Sequence, residues 1–111
     1  MAETPERGGP NLLDTANTAE TIYTAPATGW AILRSVTICS EQTNAEVKVT
    51  VGVHTSLADA AGRRLIRNLS LMPGQTEAID LFVPLNTNDV VYALCDTASG
   101  ATVTAGVVEG P

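Results

Sequence analysis

Between residues 46 and 53 the chain reads Glu-Val-Lys-Val-Thr-Val-Gly-Val, which puts Val47, Val49, Val51 and Val53 at every second position with Glu46, Lys48, Thr50 and Gly52 between them. A repeat of two is the side-chain period of an extended strand, whereas a helix returns to the same face every third or fourth residue. The stretch therefore reads as a strand with one face dry and the other wet. Similar short runs recur between turn residues along most of the chain, and no helical stripe accompanies them.

The remaining strands follow from the same period and from the turn chemistry between them. Residues 20–24 form a strand closed by Ala25-Pro26 and a turn through Thr28-Gly29. Residues 30–40 (WAILRSVTICS) form a long one, with Trp30, Ile32, Val36 and Ile38 expected on the core face and Arg34 interrupting them. Gln42-Thr43-Asn44 turns the chain into the valine strand, which runs to about His54. Residues 55–62 (TSLADAAG) read as a loop or one helical turn. In residues 64–71, Leu65, Leu69 and Leu71 are expected on one side. Met72-Pro73-Gly74-Gln75 carries adjacent Pro and Gly, as type I and II turns prefer. Residues 76–83 alternate again, with Ile79, Leu81 and Val83 set against Ala78, Asp80 and Phe82. A turn at 84–88 leads to strands at 89–95 and 101–109.

Seven or eight strands at this spacing, without helices between them, predict an all-β fold: a two-sheet antiparallel sandwich, immunoglobulin-like or jelly-roll, with a closed barrel as the alternative. A chain of 111 residues makes one domain with a small core, so covering one more face against a partner is favourable. Residues 1–11, rich in Pro, Gly and charge, are expected to form a flexible arm, leaving 12–111 as the folded domain. Leu12 and Leu13 open a short strand or a turn.

A formal net charge of −6 with only six Lys and Arg argues against nucleic acid, because phosphate binding needs concentrated cations. Arg63, Arg64 and Arg67 are the one basic cluster. They read as a solvated edge or as a contact for an acidic patch on a protein partner. The first eleven residues hold no apolar core of a signal peptide and no apolar run reaches the ~18 residues of a membrane span, so a soluble, cytoplasmic origin without a membrane partner is expected.

Chemistry is sparsely written. Cys39 and Cys95 lie in apolar strands without neighbouring histidines; they are expected as buried free thiols, with a bridge conceivable only if their strands pair. His54 is the one histidine and is expected at an exposed strand end. Asp89, after Asn86-Thr87-Asn88, reads as turn chemistry. No phosphate-cradling glycine loop, metal-ligand spacing or nucleophile elbow is present, so neither cofactor nor catalysis is expected.

The order of these elements resembles a group of small accessory virion proteins of tailed bacteriophages. The resemblance rests on Tyr23-Thr24-Ala25-Pro26 closing a strand, Cys39-Ser40 closing the long one, and the beta-branched strand of Val47 to Val53. It continues through the turn Pro73-Gly74-Gln75-Thr76, Pro84-Leu85, an Asp-initiated strand from Asp89, and the close at Gly106-Val107-Val108-Glu109. It spans about residues 20–109, while the 55–62 loop and Asn86-Thr87-Asn88 depart from it. It implies a non-enzymatic virion structural protein without cofactor, made in the host cytoplasm and resident in the virion. The role implied is a capsid decoration subunit that binds the major capsid protein or other virion proteins as a trimer or another symmetric homo-oligomer. A tail, neck or baseplate accessory, or a carbohydrate-binding host-surface module, is the alternative.

On that reading the contacts come from the arm and one sheet face. The expected residues are Pro5, Arg7, Pro10, Leu12, Leu13, Trp30, Arg63, Arg64 and Arg67.

Overall fold

The computed structural model describes residues 4–54 and 64–111, and these build eight strands and no helix. In chain order they are β1 (Thr4–Leu12), β2 (Glu20–Thr24), β3 (Trp30–Ser40), β4 (Val47–His54), β5 (Arg64–Leu71), β6 (Thr76–Leu85), β7 (Val90–Cys95) and β8 (Ala101–Gly110). They form two four-stranded antiparallel sheets, ordered β1-β8-β3-β6 and β2-β7-β4-β5.

The pairing is nested. The chain doubles back between β4 and β5, and β4 pairs with β5, β3 with β6, β2 with β7 and β1 with β8. Successive pairs alternate between the sheets, so one long hairpin is rolled up on itself. That is a jelly roll, which decides between the two sandwich topologies open from sequence.

The core lies between the sheets. Leu33, Val36, Ile38, Val103, Ala105 and Val107 of the first sheet meet Ile22, Val47, Val49, Val51, Leu71, Val91, Ala93 and Cys95 of the second. Turn chemistry holds the ends. The Asp89 carboxylate accepts the Asn86 amide at 2.8 Å, and the Asp89 amide returns to the Asn86 carbonyl at 3.0 Å, as expected of that turn.

The expected arm is instead a strand from Thr4 onward. Its composition cannot bury a core, but β8 offers a row of free backbone groups, and pairing runs from Thr4↔Glu109 to Leu12↔Thr102. An edge strand needs partners on one side only, so Pro5 and Pro10 are tolerated. The irregular step falls between Gly8 and Asn11, where Gly9 takes φ 86°.

Two more corrections have one cause, the β-bulge. Opposite Val107 and Gly106, adjacent in β8, stand Leu33 and Ser35 of β3 with Arg34 between them. Opposite the same two residues, β6 has Val83 and Asp80 with two residues between. Relative to β8, β3 thus carries one extra residue and β6 two. One insertion reverses the facing of everything beyond it and two restore it. Ala31 and Leu33 therefore face the core with Val36 and Ile38, while Trp30 and Ile32 face outward. In β5 a bulge around Asn68, held at φ 51° with its amide bonded to the Thr50 hydroxyl at 3.1 Å, puts Ile66 opposite Val51 and leaves Leu65 exposed.

Candidate interaction surface

The register of the first sheet arranges its outer face in rows. One row runs Pro5 (β1), Val108 (β8), Ile32 (β3), Pro84 (β6), and is apolar throughout. Beside it Trp30 lies opposite Gly110, whose missing side chain leaves room for the indole. On the other side, at the bulge, the exposed Phe82 sits under the Arg34 guanidinium, 5.8 Å from the ring centroid. The next row runs Arg7, Gly106, Ser35, Asp80: a cation at one edge, an anion at the other and two small residues between. Farther along, Leu12, Thr102, Cys39 and Thr76 share a row. Of five exposed large apolar side chains among the described residues, three stand on this face: Leu12, Trp30 and Phe82. A sheet face that exposes several large apolar side chains is a candidate interaction surface.

The residues expected to make contacts separate into groups. Pro5, Arg7, Leu12 and Trp30 belong to this outer face. Pro10 is exposed at the β1 irregularity. Leu13 is wholly buried in the core: its amide bonds to the Ala101 carbonyl at 2.9 Å, and its side chain supports packing instead of contact. Arg67 is exposed on β5, in the other sheet; Arg64 starts that strand, and Arg63 lies outside the described residues, as does the 55–62 loop. Arg67 is thus not on the apolar face of the first sheet.

Ile32, Arg34, Asp80, Phe82, Pro84 and Val108 were missed from sequence. Phe82 had a signal, an aromatic on the polar side of an alternating strand. Ile32 had none, because the bulge that turns it outward is a relation between strands.

The opposite edge of the sandwich is closed. A side chain at Gly8 would meet the Ile22 carbonyl oxygen at 2.5 Å, so β1 presses directly on β2. Asn11 donates its side-chain amide to the Thr21 carbonyl at 3.2 Å, and the Tyr23 hydroxyl donates to the Glu109 carboxylate. Burial, that hydrogen bond and the charges of Glu109 and Glu6 push the Tyr23 phenol well above its usual range.

His54 is buried at 1% exposure, correcting the expected exposed strand end. Gly52 lies directly opposite Tyr92, and the His54 imidazole tilts against the Tyr92 ring with centroids 4.7 Å apart. Cys39 and Cys95 are both free and occupy strands of different sheets, so the condition for a bridge is not met. Cys95 is buried and Cys39 only half-buried; burial raises the Cys95 thiol above its usual range. Among the described residues no three His, Cys, Asp or Glu converge as a metal site.

No protein-family model and no curated protein matches the chain. Solved structures do. A chain of the T13 IBDV viral particle aligns with a TM-score of 0.51 at 8% identity, over 96% of this chain and 31% of that one. A pentameric capsid protein isolated from metagenomic phage sequences aligns with a TM-score of 0.45 at 18% identity, over 96% and 60%. A chain of the cyanophage Pam1 capsid asymmetric unit gives 0.46 at 20%, over 98% and 85%. This chain spans less than two thirds of the first two, and at these identities the likeness is one of fold.

Proposed function

We propose that this chain is a virion structural protein, a capsid decoration subunit that works by binding other proteins of the particle. The observation that carries the reading is the jelly roll itself. Its nested eight-strand order covers nearly the whole chain, and 96% of the chain aligns in fold with part of a chain of a viral particle. Jelly rolls recur in capsid and lectin domains, and the exposed apolar row with Phe82 and Trp30 beside it suits protein contact. The resemblance in the strand and turn motifs of residues 20–109 points the same way.

The test is mass spectrometry of purified virions produced by the genome that encodes this chain, followed by particle reconstruction. The chain is expected at a copy number matching a symmetry-related set of capsid positions. Recovery only from the soluble lysate would overturn the virion role, and density on the tail would replace decoration by a tail accessory.

A further inference from the structure

The outer face of the first sheet is complementary to itself. Its four strands lie in the order β1-β8-β3-β6, so a two-fold axis running along the strands, midway between β8 and β3, lays β1 of one copy over β6 of the other and β8 over β3. In that arrangement residues of one row meet residues of the same row. Pro5 falls over Pro84 and Val108 over Ile32, apolar on apolar. Arg7 falls over Asp80, cation on anion, twice per pair, while the small Gly106 and Ser35 between them leave the centre of the row free of bulk.

We propose that this face binds a second copy of the chain in an isologous, face-to-face pair, with Arg7 and Asp80 as reciprocal partners. The geometry permits it. Stacked sheets lie ~10 Å apart, a gap that an arginine and an aspartate pointing toward each other can span. Four strands at ~4.8 Å and ~10 residues at ~3.3 Å give a face of roughly 600 Å² per copy, at the lower end for a specific pair. The charges also favour a copy over an unrelated acidic partner. The chain as a whole is at −6, yet this face carries two cations, Arg7 and Arg34, against two anions, Asp80 and, at its far end, Glu41, whose carboxylate accepts from the Thr102 hydroxyl at 2.7 Å, so the repulsion expected between two acidic molecules is balanced where they would touch.

The proposal deepens the binding role given above by naming the partner of one face, and its test does not depend on virions. Sedimentation equilibrium of the full chain at low salt is expected to show a monomer–dimer equilibrium. Arg7→Glu and Asp80→Arg each set like charges against each other at both contacts and are expected to raise the dimer dissociation constant about tenfold. The double variant restores opposite signs and is expected to return close to the original value. Both positions are exposed at sheet edges, so the variants keep the fold, which circular dichroism checks. Ile32→Lys, in the apolar row, is expected to abolish the dimer. A chain that stays monomeric at millimolar concentration overturns the proposal. So does a trimer or pentamer, or a dimer whose two charge reversals do not compensate. Any of these can occur with the protein still present in virions, which separates this failure from failure of the proposed function.

Discussion

The Tyr23 hydroxyl donates its hydrogen to the Glu109 carboxylate, tying β2, the edge of one sheet, to β8, an inner strand of the other, across 86 residues of chain. Few side-chain bonds join the sheets, and this one also carries a charge. Replacing Tyr23 by Phe leaves the carboxylate short of a donor and is expected to cost about 1–2 kcal/mol in urea unfolding. An unchanged midpoint would show that water replaces the hydroxyl.

The same bond predicts a pH dependence. Because the folded protein holds the Tyr23 phenol above its ordinary value of 10.0, folding favours the protonated form. The contribution is complete below that ordinary value and is lost as pH rises from there toward the folded value. Stability should therefore fall above about pH 10, and the part of that fall due to this site should vanish in the Tyr23→Phe protein, as paired unfolding curves at pH 8 and 11 would reveal.

Gly8→Ala tests the closed edge. The added carbon would lie 2.5 Å from the Ile22 carbonyl oxygen and 2.7 Å from the Tyr23 Cβ, neither of which can swing away. Forcing β1 off β2 is expected to cost about 1–3 kcal/mol in chemical denaturation. Gly74, with nothing within 4 Å of an added carbon but a φ of 74°, should cost less.

The bulge at Arg34 decides which of two neighbours faces the core. Leu33 is fully buried, so Leu33→Ala should destabilise by about 2–5 kcal/mol. Ile32, one residue earlier and on the outer face, should lose under ~1 kcal/mol on truncation to Ala. Equal losses would place both on one side and contradict the register.

Thiol chemistry distinguishes the cysteines. In the native protein a thiol reagent should modify Cys39 first, because it is half-exposed on the outer face, whereas Cys95 is buried and its thiol is held protonated. Cys95 should react only on unfolding, read as a second equivalent appearing in denaturant. Two equivalents at once under native conditions would refute this placement.

Sequence alone determined where the chain extends and where it turns. Valines at 47, 49, 51 and 53, Pro73-Gly74, and Asn86 to Asp89 act through their own backbone or their near neighbours, so strand positions from β2 to β8 could be read to within about two residues. Tertiary structure decided which strands meet, whether residues 4–12 order, and which way Trp30, Ile32 and Leu65 point. The reason is that pairing and bulges are properties of two strands at once. β1 exists because β8 has an open edge, and Ile32 faces outward because β3 has one residue more than β8 at Arg34.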